Sequence, residues 1–409
     1  MKFLSLVLIS LIYNIKFSVS AEQKCKQGLQ FVSVMFRHGE RTPEPEQMEE
    51  FRRYAEKDNK FEPPGLGQLT DEGRRTLNNL GKKLRARYVN KLYGKMQITR
   101  SDVRMKSTHY PRCLMSAQLV LNGLLKHNKD PVSYDWQKSP FFNKTLDTKQ
   151  EVLYKLYYNK TCPEFKKKIK TVLSKPSNAI SILYYCTRSM LQMYFRLRPK
   201  STTPLTVWFM YELFKAQENT NVPLPRWVTK SLYGSMEGCI QKFLNFAFGT
   251  EELKQMAGGG YADRLLTTLR KVADSKEKVK QKMHLFAGHD TTVAPAVAAL
   301  GGPNGFLRNG EHFTVEIPTY GSAIVTELHK DSKCKPFVKF YFWNNKKTDS
   351  KSTRLRVIGC GDNGKNCYLD KYEKLLENIR TNRTQAMLVN QCSAMTEQFG
   401  KMILAMTVK

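Results

Sequence analysis

The chain has 409 residues, 41% of them hydrophobic and 25% charged, with no low-complexity tract. This excludes a disordered or fibrous protein and leaves room for one large α/β domain or two ordinary ones. Its 67 lysines and arginines against 36 acidic residues give a formal net charge of +31, a field that attracts phosphorylated metabolites, acidic glycans or other anionic surfaces, or else marks a lysine-rich solvated face. Basic runs such as Phe165-Lys166-Lys167-Lys168-Ile169-Lys170 carry no interleaved aromatics and no nucleic-acid motif, so nucleic acid is not indicated.

In chain order, Lys2 and the apolar run FLSLVLISLIY, followed by the small residues Val19-Ser20-Ala21, predict a signal peptide over 1–21. The run is too short for a membrane span, and so is the C-terminal FGKMILAMTVK, which points to a secreted, extracellular chain without a transmembrane anchor. Nine cysteines and the glycosylation sequons at Asn143, Asn159 and Asn382 agree with an oxidising compartment.

The first predicted strand, residues 29–36, is a near-continuous apolar run of the kind buried on both faces. After the turn-rich EPPGLGQL, Thr70 predicts an N-cap, with Asp71 and Glu72 favoured by the helix dipole and Leu77, Leu80, Leu84 and Tyr88 recurring on one face. VRMKS (103–107) reads as a second strand and Cys113 to Lys126 as a helix. Residues 132–265 are mostly helical, aromatic-rich and interrupted by prolines, which predicts an inserted helical cap subdomain. MHLFA (283–287) restores the buried-strand pattern, and Thr291 to Leu300 is an Ala- and Val-rich helix ending at Gly301-Gly302. The strand-to-helix units at either end are expected in one sheet, making 22–131 and 266–409 an α/β core.

Both buried strands end in histidine: Arg37-His38-Gly39 after the first and Gly288-His289-Asp290 after the last. Ligands of open α/β sheets bind beyond the carboxyl ends of the strands, so the two histidines are candidates for one site. His127, His284, His312 and His329 lack such a context and read as structural. Gly359-Cys360-Gly361-Asp362-Asn363-Gly364 matches GxGxxG literally, but no helix opens on it and cysteines bracket it; Gly258-Gly259-Gly260 reads as a loop.

RHGERTP at 37–43 resembles the RHGxRxP signature of the histidine acid phosphatases, and His289-Asp290 resembles their HD pair. LTDEGRRTLNNLGKKLRARY at 69–88 is similar to the family's first long helix, and Ser107 to Ala117 to its segment carrying a further arginine. The resemblance extends from about Leu29 to Cys392. It implies a phosphoglycerate-mutase-like core sheet covered by helices with an inserted cap, and hydrolysis of anionic phosphomonoester substrates through a phosphohistidine intermediate. His38 would be the nucleophile and Asp290 the general acid, while Arg37, Arg41, Arg112 and His289 would bind the phosphate. No cofactor or metal is implied, and no metal-ligand spacing such as HExxH is present.

The resemblance also implies disulfides Cys162–Cys392 and Cys360–Cys367; Cys25, Cys186, Cys239 and Cys334 have no implied partner, and Cys113 is either a free thiol or a buried small residue. Departures from the family pattern are Lys106, where arginine is usual, and His109 and Pro111, where acids are usual, so a more positive pocket wall is expected. The competing expectation is a catalytically weak or inactive member of the fold that binds a small ligand.

Overall fold

The computed structural model describes residues 26–380 apart from 51–60, 96, 127–129, 134–162, 198, 200–201, 276–278, 345–351 and 362–365. The signal peptide, Cys25, His127, Cys162, Cys392 and the sequons at Asn143, Asn159 and Asn382 lie outside the described residues.

A mixed sheet organises the chain. Its strands are β1 (Gly28–Arg37), β2 (Val103–Ser107), β3 (Met283–Gly288), β4 (Phe306–Arg308), β5 (Glu311–Phe313), β6 (Ala323–Lys330), β7 (Pro336–Trp343), β8 (Thr353–Val357) and β9 (Cys367–Tyr368). They lie in the order β2-β3-β1-β6-β7-β8-β4-β5, with β9 on β7. β2, β3 and β1 are parallel, and β6 to β8 continue the sheet antiparallel. The two histidine-ended strands are therefore direct neighbours, as their patterns lead one to expect. Of the antiparallel half only β8 has a counterpart in sequence, the strand-like RLRVI before Gly359; β7 mixes half-exposed Lys339 and Tyr341 with buried Phe340 and Phe342, a weaker signal than a fully buried run.

Side-chain alternation along β1 feeds two cores. Phe31 and Met35 join Ile324, Leu328 and Phe340 under the helices Gly260–Asp274, Asp290–Leu300 and Leu369–Leu375. Val32, Val34 and Phe36 join Leu285 and Val325 under the helices Asp71–Leu84 and Pro111–Leu125. Thr70 caps the first of these, its hydroxyl accepting from the Gly73 amide at 3.0 Å. These two helices touch backbone to backbone: a Cβ on Gly81 would lie 2.1 Å from the Val120 carbonyl oxygen, and one on Gly123 2.1 Å from that of Asn78.

A third cluster lies among the helices Pro163–Leu173, Pro176–Leu197, Pro204–Asn219 and Lys230–Ala247, with Trp208, Met210, Phe214, Met236 and Phe243 at its centre. Ala294 and Ala298 of the helix Asp290–Leu300 belong to the same cluster, so this helix packs on both sides. Cys186 and Cys239, unassigned from sequence, form a disulfide linking two of these helices. Cys360–Cys367 is formed, and Cys334 is also disulfide-bonded. Gly258 to Gly260 correct the loop expectation. They carry a π-helical turn, Gln255–Gly259, into the helix Gly260–Asp274, because a bare Gly258 admits the Pro295 carbonyl, which a Cβ would meet at 2.2 Å. Among the described residues no helix is long and apolar enough to cross a membrane.

Candidate active site

Strand register assembles the site. Arg37 pairs with Gly288 and Ser107 with Ala287, so β1, β3 and β2 end side by side and the next residues, His38, His289 and Thr108, emerge together. The His38 amide donates to the Gly288 carbonyl at 2.9 Å and the Thr108 amide to that of Ala287 at 3.2 Å. Gly39 has no room for a side chain, since a Cβ would lie 2.6 Å from the Gly73 carbonyl oxygen in the first turn of the helix Asp71–Leu84. The glycine of the RHG triplet thus lets a helix N-terminus close against the strand end.

All six candidate residues meet here. Arg37, His38, Arg41, Arg112, His289 and Asp290 line one cavity of about 260 Å³. His38 is only 2% exposed. Its Nδ1 lies 2.8 Å from the Gly39 carbonyl oxygen. An oxygen acceptor requires Nδ1 to carry the proton, leaving the lone pair on Nε2. Arg112 donates to Nδ1 of His289 at 3.3 Å, so His289 carries its proton on Nε2, which donates to Thr108 Oγ1 at 3.0 Å. The imidazoles of His38 and His289 stand edge to face, their centroids 5.4 Å apart.

The arginines are held by other groups as well. Arg37 donates to the Pro318 carbonyl at 2.6 Å, pairs with Glu212 and lies 3.4 Å from Asp290. Arg41 bonds the Thr42 carbonyl and Gln47 Oε1 at 3.0 and 3.2 Å and pairs with Glu44 at 2.8 Å. Arg112 stacks on Tyr110 and pairs with the same Glu44 oxygen at 3.1 Å. The Nε atoms of Arg37, Arg41 and Arg112 are buried without a hydrogen-bond partner. Three guanidinium groups on one cavity suit an anionic ligand.

Burial, together with the charges of Arg112, Arg37 and Arg41, holds the His38 imidazole well below its ordinary pKa of 6.5. Burial opposes the charge of Arg37, but Asp290 and Glu212 beside it outweigh burial and raise its pKa. The arrangement therefore contains a neutral imidazole facing a cationic clamp, with a carboxyl group at one side. It can take a tetrahedral oxyanion and present a nitrogen lone pair to its centre.

Sequence reasoning missed much of the wall. Glu44, Gln47, Tyr110, Leu205, Trp208, Phe209, Glu212 and Thr291 also line the cavity. Glu44 directly follows the RHGERTP stretch and was within reach of a closer reading. Glu212 is 175 positions from Arg37 and no local pattern signals it. Lys106, His109 and Pro111 do not line the cavity: Pro111 opens the helix Pro111–Leu125, and His109 stacks on Tyr110 at 4.6 Å. The expectation of a wall made more positive by these three residues is corrected, because none of them lines the cavity. Cys113 is a buried thiol that donates to the Gly288 carbonyl at 3.4 Å, with Sγ 3.6 Å from His289 Nε2.

Residues 28–343 match the family model described as histidine phosphatase superfamily (branch 2). The venom acid phosphatase Acph-1 of Apis mellifera is 28% identical over 356 residues, which cover 86% of this chain and 85% of that protein. The lysosomal acid phosphatase of Homo sapiens is 26% identical over 86% of this chain and 78% of its own length, and the prostatic acid phosphatase of Rattus norvegicus is 26% identical over 86% of each. Among solved structures, the phytase from Klebsiella sp ASR1 superposes with a TM-score of 0.63 at 16% identity, covering 88% of this chain and 99% of that one. The Hafnia alvei phytase in complex with myo-inositol hexakis sulphate also reaches 0.63, at 17% identity, covering 87% and 97%. The fold of the phytases, the extent of the family match and the acid phosphatase relatives agree: the chain is a member of the histidine acid phosphatase family, within branch 2 of the histidine phosphatase superfamily.

Proposed function

We propose that the chain is a secreted acid phosphatase that hydrolyses phosphate monoesters through a phosphohistidine on His38. One observation carries this reading: the lone pair left on His38 Nε2 by the Nδ1 to Gly39 bond, inside a cavity shared with three arginines. The Nε2 lone pair attacks phosphorus while the bond to the ester oxygen breaks. Asp290 in its acid form gives that oxygen its proton, and the alcohol departs. The resulting Asp290 carboxylate takes a proton from water, which attacks phosphorus, breaks the P–N bond and frees His38 and inorganic phosphate. Arg37, Arg41 and Arg112 neutralise the non-bridging oxygens, the main demand of this transition state, and the Nε2 proton of His289 turns from Thr108 Oγ1 to a phosphate oxygen when substrate binds.

The described helices between Pro163 and Ala247 serve as a cap over the core, contributing Leu205, Trp208, Phe209 and Glu212 to the cavity. Secretion is supported by the N-terminal pattern and the disulfides, and it brings with it the Cys162–Cys392 bridge and glycan acceptors at Asn143, Asn159 and Asn382.

The test is hydrolysis of 4-nitrophenyl phosphate at acidic pH together with acid-quenched trapping of labelled phosphate. Turnover and label on histidine are expected in the parent, and both should vanish in His38→Ala. Tight phosphate binding by the parent without turnover at any pH would instead support a ligand-binding protein.

A further inference from the structure

The formal charges lining the cavity cancel, unlike those of the molecule as a whole. The chain carries +31, yet Glu44, Glu212 and Asp290 face the cavity beside Arg37, Arg41 and Arg112. Glu212 and Asp290 both belong to Arg37. Glu44 differs, because its one oxygen, Oε1, spans two arginines, 2.8 Å from Arg41 Nη2 and 3.1 Å from Arg112 Nη2. A single anionic oxygen shared by two guanidinium groups is the position that a phosphate oxygen takes in such a clamp.

The backbone of Glu44 is fixed. It stands between Pro43 and Pro45, its carbonyl accepts from the Met48 amide at 3.1 Å, and its amide donates to Gln47 Oε1 at 3.0 Å. Its side chain is 21% exposed, so it can swing toward solvent without moving the loop. Arg41 does not depend on it for orientation, keeping the Thr42 carbonyl and Gln47 Oε1, and Arg112 keeps His289 and the Tyr110 ring.

We infer that Glu44 is a competing anion built into the clamp: phosphate binds by displacing its carboxylate from Arg41 and Arg112, and the displaced charge beside the cavity disfavours esters that carry a second phosphate group. The inference rests on the proposed phosphatase site and narrows its substrates to singly phosphorylated compounds. Free clamp arginines would bind any phosphate more tightly; Glu44 sets binding against its own pairing, and the effect grows with ligand charge.

Calorimetric titration with inorganic phosphate tests the exchange without requiring turnover. Glu44→Gln should raise phosphate affinity about 10-fold, the scale of one charge-assisted interaction. Glu44→Asp, which keeps the charge but is too short to span both arginines, should fall between Gln and the parent. In steady state, Glu44→Gln should lower KM more for a multiply phosphorylated inositol than for 4-nitrophenyl phosphate, with no gain in kcat because phosphate also leaves more slowly. Unchanged or weaker phosphate binding by Glu44→Gln would overturn the inference and make Glu44 an orienting partner of the arginines. A parent that hydrolyses nothing, alongside a Gln variant that binds phosphate more tightly, would defeat the enzyme reading and leave the inference standing.

Discussion

His38 must remain unprotonated where the solution is acidic, and the arginines that would hold phosphate also provide that condition. Burial and the cations Arg112, Arg37 and Arg41 all disfavour imidazolium. The sign follows directly: protonation removes the lone pair, and since the pKa is lowered, the neutral form persists as pH falls through 6.5 and is lost only well below it. Nitrogen NMR of the histidines should therefore find His38 as the neutral Nδ1-protonated tautomer at pH 5.5, and a titration near 6.5 would contradict the geometry. Asp290, 3.4 Å from Arg37 and within the same cavity, allows an independent test of the leaving-group step. Asp290→Asn should slow alkyl phosphates by roughly 100-fold or more, the lower range of general-acid contributions, and 4-nitrophenyl phosphate much less because nitrophenolate needs little protonation. Equal losses for both esters would remove Asp290 from the acid role.

At the scale of elements, the site depends on helices that lie closer to one another and to the strand ends than side chains would permit. The Gly81 and Gly123 contacts seat the helix Asp71–Leu84 on Pro111–Leu125, and Gly73 seats its first turn on the Glu40 backbone, where a Cβ would lie 2.4 Å from the carbonyl oxygen. Those two helices carry Arg112 and hold Gly39. Gly123→Ala should destabilise the protein by about 1–3 kcal/mol or more, the range for overpacking, because the obstructing atoms are backbone and cannot rotate away. Urea unfolding followed by far-UV circular dichroism gives the value, and a neutral effect would mean that the helix pair has slack. The pattern of Leu77, Leu80, Leu84 and Tyr88 was readable from sequence as one buried face, and all four are buried. The glycines on that helix were not readable as contacts, because a missing side chain carries no sign of the backbone it admits.

For the whole molecule, the +31 charge and the mixed-sign cavity act over different distances. Fields from the surface are screened over about 8–10 Å at 0.1–0.15 M salt, whereas pairs inside the buried cavity are screened much less. Raising salt from 10 to 150 mM should lower kcat/KM for a singly charged ester several-fold, through slower encounter, and leave kcat nearly constant. Salt-insensitive kcat/KM would show that the positive surface serves some purpose other than steering.

Resemblance to the histidine acid phosphatases implied the six residues that gather at the strand ends and the Cys360–Cys367 bridge, while the sequence by itself determined the two histidine-ended strands and the helix that Thr70 opens. These are properties of contiguous stretches: a run buried on both faces, a cap followed by an apolar stripe, a short motif. Only the tertiary structure decided that Cys186 meets Cys239, that Glu212 faces Arg37 across 175 positions, that the antiparallel strands complete the sheet, and that Glu44 joins Arg41 to Arg112. The reason is physical: burial and periodicity are imposed along the chain and leave their mark in local order, while pairing between distant residues depends on packing and carries no local signature.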